Sequence, residues 1–294
     1  MCDEHTEHSN DDAFDLGQLS RRGFGAMSLA ALAACTTSPE NPATIVEREV
    51  EITTPDGVID AHYAAPSSGK HPAVIVWPDI MGLRPAFRLM GKRLAESGYA
   101  VLTVNPFYRL AKGQVFDAQT EKFSDPPVRQ RLVALMGPTT SDPENTRKDA
   151  VAAVAWLDKQ KEVDTSKGIG TTGYCMGGPL VMRTMGFVPD RVKAGGSFHG
   201  GGLVTATPTS PALLVPQMKA KAVLIAVAQN DDAQDPTVKD KVKAAFDAQK
   251  IPAEVEVYPA QHGWCPPDSQ VFDQVQADRA WGRLLATFQA GLKT

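Results

Sequence analysis

Lys167-Gly168-Ile169-Gly170-Thr171-Thr172-Gly173-Tyr174-Cys175-Met176-Gly177-Gly178 is the stretch on which the reading of the fold turns. Its first six residues read as a strand. The next six have the spacing glycine, any residue, nucleophile, any residue, glycine that marks a strand turning abruptly into a helix. Only glycine tolerates the flanking positions of so sharp a turn. The turn lifts the Cys175 side chain above the sheet edge, and the backbone N–H groups that follow open a helix N-terminus. The positive end of that helix dipole favours thiolate over thiol and stabilises a developing oxyanion. Taken alone, the same residues also fit a small, inert buried thiol, so the flanking chain has to decide.

Downstream, an acid and a histidine follow in the order nucleophile, acid, histidine. Ala222 to Ala228 reads as a fully buried strand ending in Gln229-Asn230-Asp231-Asp232, which delivers a carboxylate to a strand-end loop. Asp231 is the expected orienting acid, with Asp232 as the neighbouring alternative. Ala253 to Tyr258 alternates like a strand and leads into Pro259-Ala260-Gln261-His262-Gly263-Trp264. His262 is the expected base, taking the thiol proton and returning it to the leaving group. Trp264, two residues on, is taken as part of the substrate-binding wall. In isolation the acid pair reads as a solvated turn or helix cap and the histidine as a packed loop residue; their joint order favours a triad. His199, in Gly195-Gly196-Ser197-Phe198-His199, is a rival base. It falls one strand too early, and is expected to line the substrate site or anchor a loop.

The 294 residues, 43% hydrophobic and 22% charged, suit one large α/β domain preceded by a short extension. A net charge of −4 without a lysine or arginine cluster argues against nucleic acid or an anionic membrane surface and for a small-molecule substrate. The chain is expected to act as a monomer, and no metal or organic cofactor is implied.

The extension has its own composition. Ser20-Arg21-Arg22-Gly23-Phe24-Gly25 precedes a run, Ala26 to Ala34, too short to span a bilayer. This is the layout of a twin-arginine export signal occupying residues 1–42 with its linker, and it predicts a periplasmic protein. Leu32-Ala33-Ala34-Cys35 resembles a lipobox, so acylation at Cys35 is one outcome, cleavage near Ala34 with a free product is another, and an uncleaved tail on a cytoplasmic protein is the third. His5 and His8 with Cys2, Asp3 and Glu4 fit a flexible leader better than a metal site. Of four cysteines only Cys175 and Cys265 remain beyond the leader, too few for a disulfide framework. Cys265, three residues past His262, is a candidate to pair with Cys175.

From residue 43 the chain alternates strand and helix signals. Ile45 to Thr53 and Val58 to Ala64 read as a hairpin around Pro55-Asp56-Gly57. Strands are expected at Ala73 to Trp77, Tyr99 to Val104, Ala194 to Phe198, Ala222 to Ala228 and Ala253 to Tyr258. Helices are expected at Phe87 to Ser97, Pro143 to Lys161, Thr237 to Gln249 and Val271 to Leu292. Such repeats build a doubly wound, mostly parallel sheet with helices on both faces. Leu110 to Pro143 is Pro-rich and reads as an irregular cap or rim.

Over about Ile45 to Phe288 the chain resembles the dienelactone hydrolase family, on Gly173-Tyr174-Cys175-Met176-Gly177-Gly178, Asn230-Asp231, Tyr258-Pro259-Ala260-Gln261-His262-Gly263 and Trp77-Pro78-Asp79-Ile80-Met81-Gly82. The resemblance implies an α/β-hydrolase fold and a Cys175-His262-Asp231 triad that opens lactones or activated esters through a thioester-linked acyl-enzyme. It also implies an oxyanion hole from the backbone N–H groups of Ile80 and Met176. Asp79 stands where the family carries a glutamate that pairs with the resting thiol and helps to ionise it; the other reading is that Asp79 caps its turn. Arg109 matches a family arginine that binds a substrate carboxylate, whereas a second arginine after the histidine is replaced by Pro266, which implies a neutral or less acidic substrate. Two other classes of function compete with the hydrolase: an exported non-catalytic binding protein on the same fold, and a thiol redox sensor through Cys175 and Cys265, which lacks the paired C-x-x-C spacing.

Overall fold

The computed structural model describes residues 44–292. The leader readings, including Arg21, Arg22 and Cys35, lie outside the described residues.

Eight strands form one sheet: β1 (Ile45–Thr54), β2 (Gly57–Pro66), β3 (Ala73–Trp77), β4 (Ala100–Val104), β5 (Ile169–Tyr174), β6 (Val192–Phe198), β7 (Ala222–Ala228) and β8 (Ala253–Tyr258). Their spatial order is β1-β2-β4-β3-β5-β6-β7-β8. The β1–β2 hairpin joins β4 antiparallel, with Ala61 opposite Val104, and every pairing from β4 to β8 is parallel. The parallel strands β3, β4, β5 and β7 are apolar or small along their length because helices cover both faces. The helices are α1 (Pro85–Glu96), α2 (Pro126–Ser141), α3 (Pro143–Leu157), α4 (Gly177–Phe187), α5 (Gln229–Gln234), α6 (Thr237–Ala248) and α7 (Gln274–Leu292), with a 3₁₀ segment at Pro211–Gln217.

The apolar core divides by sheet face. One cluster packs α3, α4 and α6 residues such as Ala153, Leu180 and Phe246 against Ile75, Leu102 and Ile225; the other packs Phe87, Leu94 and Phe288 against Val74, Val101 and Leu224. A third, smaller cluster of Ile80, Phe107, Phe116, Leu132, Cys175 and Met176 lies outside the two faces and ties the cap segment to the turn after β5. β4 and β5 lie on opposite sides of β3, so the strand order reverses there and opens a crevice at the carboxyl ends of β3 and β5. Both Asp79 and Cys175 emerge at that crevice.

Two expectations are corrected. The segment read as irregular, Leu110 to Pro143, contains the sixteen-residue helix α2, which starts on Pro126-Pro127 and carries Pro138 inside it. A Pro-rich composition suggests irregular chain, but Pro at the first turn has no intrahelical N–H to lose. The stretch after β7, expected as a loop, is the short helix α5, with Asp231 and Asp232 in its first turn.

Candidate active site

The turn after β5 is as tight as its sequence requires. Cys175 has φ +52°. A Cβ on Gly173 would lie 2.2 Å from Gly177 O, and one on Gly177 would lie 2.3 Å from Trp77 O, so neither position admits a side chain. The Cys175 N–H points back to Phe198 O at 3.0 Å and to His199 Nδ1 at 3.1 Å, which clamps the turn onto β6. α4 then runs from Gly177, with every residue to Gly186 buried.

His262 arrives from the loop after β8. Its Nδ1–H donates to Asp231 Oδ2 at 2.7 Å, and its backbone N–H donates to Asn230 Oδ1 at 2.8 Å. The other side of the ring engages the Cys175 side chain. Burial disfavours a charged imidazole here, but the attractions of Asp231 and Cys175 outweigh it and raise the His262 pKa to about 10. Of the two adjacent acids, Asp231 faces the imidazole, while Asp232 is paired with Lys239 at 2.6 Å.

Asp79, at the end of β3, lines the same cavity but spends its oxygens elsewhere. Arg84 holds it with two bonds, Nη1 to Oδ1 at 2.7 Å and Nη2 to Oδ2 at 3.0 Å, and the Met81 N–H donates to Oδ1 at 2.9 Å. Burial pushes the carboxyl pKa up, with Arg84 opposing it. The carboxylate thus caps its turn, as the second reading has it, and a guanidinium rather than the thiol is its main partner. Arg84 also donates to Asp268 from Nε at 2.7 Å and Nη2 at 2.9 Å, joining the β3 turn to the loop beyond His262. The turn bonds of Met81 and Gly82 to Asp79, and of Gly178 to Cys175 O, leave the N–H groups of Ile80 and Met176 outside that network.

Three residues expected to bind substrate sort differently. His199 lines the cavity but is 1% exposed, with Nδ1 accepting the Cys175 N–H; burial and the neighbouring His262 hold its pKa well below the usual histidine value. It is therefore a neutral anchor of the turn, not a rival base. Trp264 is fully buried behind it, stacked on Tyr258 at 5.3 Å and edge-on to His199 at 5.0 Å, so it supports the wall without forming it. Arg109 is not among the residues of either cavity that reaches Cys175. Asp56 and Asp149 take its guanidinium at 2.8 and 2.7 Å, and a cation so paired has little to offer a substrate. Cys265 is a free buried thiol in the cluster of the sheet face that holds α1 and α7, whereas Cys175 belongs to the cap cluster. The expected pairing of the two is not formed.

Two cavities meet at Cys175. One, about 200 Å³, is bounded by Asp79, Ile80, Phe116, Phe123, His199 and His262. The other, about 390 Å³, is bounded by Met136, Thr140, Met176, Pro179, Arg183 and Thr205. The sequence reading missed Arg84 and Arg183. Arg84-Pro85 at a helix start, five residues after Asp79, was a usable signal for the first; nothing local marked the second. Among the described residues no group of His, Cys, Asp and Glu is arranged to hold a metal ion, and no helix is long and apolar enough to cross a membrane.

An antiparallel first hairpin, a central strand-order reversal and a nucleophile turn after β5 define an α/β-hydrolase. The fold is shared with a dienelactone hydrolase-like promiscuous phosphotriesterase from metagenomic libraries, with TM-score 0.69 at 24% identity over 84% of this chain and 99% of that one. A Methylorubrum extorquens protein named "Putative carboxymethylenebutenolidase" is 28% identical over 92% of this chain and 93% of its own length. A carboxymethylenebutenolidase of Pseudomonas sp. is 31% identical over 42% of this chain and 48% of its own. Residues 59–292 match the dienelactone hydrolase family. The chain belongs to that family, and it is a hydrolase of small carboxylic esters of the lactone type.

Proposed function

We propose that Cys175, His262 and Asp231 carry this hydrolysis through a cysteine acyl-enzyme. The observation supporting it most directly is His262 held between the Asp231 carboxylate and the Cys175 side chain. Cys175 Sγ attacks the carbonyl carbon, and the oxyanion is met by the N–H groups of Ile80 and Met176 at the adjoining turns. As the acyl C–O bond breaks, the imidazolium gives its proton to the departing alkoxide, which in a lactone stays tethered to the acyl chain. Water then attacks the thioester with His262 as base, the C–S bond breaks, and the acid leaves. Asp231 holds the imidazole tautomer and offsets its charge throughout.

The test is turnover of a chromogenic short-chain ester and of a dienelactone, beside Cys175→Ala, with intact mass after rapid quench. An acyl adduct on the wild type and none on the variant is expected; equal turnover by both would overturn thiol catalysis. A folded wild type with no turnover of any ester would revive the binding-protein reading, which family membership disfavours.

Export belongs to the same proposal. Arg21-Arg22 ahead of the short apolar run supports a periplasmic destination, with Cys35 as a candidate acylation point. Fractionation of cells carrying Arg21→Lys with Arg22→Lys tests it, since retention in the cytoplasm is the expected result. Light scattering of the purified protein tests the monomer reading.

A further inference from the structure

Three arginines sink their guanidinium groups into the molecule, and their partners differ. Arg84 is held by Asp79 and Asp268, and Arg109 by Asp56 and Asp149. Arg183, in α4, is 5% exposed and has no carboxylate within ion-pair distance among the described residues. Its Nη1 donates to Thr140 O at 2.9 Å, and its buried Nε has no partner. Asp142 supplies only a longer-range attraction, its Oδ1 being taken by the Glu144 N–H at 2.9 Å. Burial lowers the Arg183 pKa, yet a guanidinium is not deprotonated in a protein, so the charge stays and is poorly compensated.

A buried, uncompensated cation destabilises a fold unless something else answers it. This one faces the larger of the two cavities at Cys175. The same cavity is lined by the linked, exposed hydroxyls of Thr205, Thr207 and Thr209, at 2.8 and 3.0 Å from one to the next. The cavity thus brings together one cation without a carboxylate partner, three hydroxyls, the apolar side chains of Met136 and Pro179, and the nucleophile. A planar guanidinium without a carboxylate partner suits a carboxylate.

We infer that this cavity is an anion subsite in which Arg183 receives the carboxylate of a half-ester or carboxylated lactone while the scissile carbonyl lies at Cys175. The inference rests on the ester and lactone hydrolysis proposed above, and it reverses the expectation of a neutral substrate drawn from the loss of the arginine after the histidine. The leaving side of the substrate then faces the smaller cavity beside His262.

The experiment compares kcat/KM for the mono-4-nitrophenyl ester of glutaric acid with that for 4-nitrophenyl butyrate, in wild type, Arg183→Met and Arg183→Lys. Binding of glutarate to the full-length protein is measured by calorimetry alongside. The ratio of anionic to neutral ester is expected to fall roughly ten- to a hundredfold in Arg183→Met, chiefly through KM, with part recovered in Arg183→Lys. Arg183→Met is also expected to melt at or above the wild-type temperature, because it removes a buried unpaired charge; an arginine serving structure alone would give the opposite shift. An unchanged ratio in a folded Arg183→Met variant overturns the subsite. If wild type hydrolyses neither ester, the catalytic reading has failed and glutarate decides the subsite alone: binding weakened at least about tenfold by Arg183→Met upholds it, and absent or unaltered binding refutes it.

Discussion

Two strand ends near the turn of Cys175 each lead to an aspartate, Asp79 after the adjacent β3 and Asp231 in α5 after β7, two strands away, and they use it differently. On the β7 side Asp231 is bonded to an imidazole that itself engages the thiol. On the β3 side Asp79 is bonded twice to Arg84, a cation that does not release its proton. The first carboxylate can therefore be coupled to proton movement, since an imidazole is able to gain and lose a proton. The second is coupled to a fixed charge and sets shape, tying the β3 turn to Asp268 on the histidine loop. The same residue type beyond two strand ends acquires different work from the partner each one meets.

The largest effect should follow from breaking the β7 side. Asp231→Asn keeps size and hydrogen bonding but loses the charge that holds the imidazole tautomer, and kcat/KM for an activated ester is expected to fall about a thousandfold or more. The pH behaviour sharpens this. The His262 pKa is raised from about 6.5 to about 10 on folding, so the stability it supplies is complete below about pH 6.5 and is lost as pH climbs through about 10. Urea unfolding midpoints should decline across that interval in wild type and decline less in Asp231→Asn. Identical slopes would show that Asp231 is not what raises the imidazole.

Breaking the β3 side should register in stability first. Arg84→Met leaves the Asp79 carboxylate buried without its cation, at a cost of about 3–5 kcal/mol. Adding Asp79→Asn to the same chain should restore part of that loss, because a neutral amide tolerates the site better than a stranded charge. A double-mutant cycle by urea denaturation measures the coupling; additive losses would mean that the two bonds seen between these residues carry no shared energy.

These differences in partner explain what the sequence could and could not disclose. The mostly parallel sheet, the tight turn and the meeting of Cys175, His262 and Asp231 were legible because local chemistry marks them: glycines that admit no Cβ, continuous apolar strands, polar residues at strand ends. The helix α2 was obscured because Pro126, Pro127 and Pro138 suggest breaks wherever their positions within a helix are unknown. Arg109 and Arg183 show the deeper difficulty. Both are single arginines in unremarkable context, and their availability depends on carboxylates far away in the chain. Asp56 and Asp149 lie 53 and 40 positions from Arg109, and no local pattern reports that pairing or its absence at Arg183.

Arg109 also supplies the smallest effect that still tests the contrast between an engaged charge and an available one. Its guanidinium joins the β1–β2 turn, through Asp56, to α3, through Asp149, and packs over Tyr108. Arg109→Ala removes bonds to a carboxylate that is almost wholly buried, so a loss of about 2–3 kcal/mol is expected. Because Arg109 reaches neither cavity at Cys175, kcat/KM for neutral and acidic esters should stay within about threefold of wild type once the variant is assayed well below its melting temperature. A selective loss on acidic esters would return Arg109 to the binding site and move the anion subsite away from Arg183. A loss of stability with selectivity intact would mean that the cation matching the family pattern in sequence has become structural here, which leaves the substrate carboxylate to Arg183 as proposed.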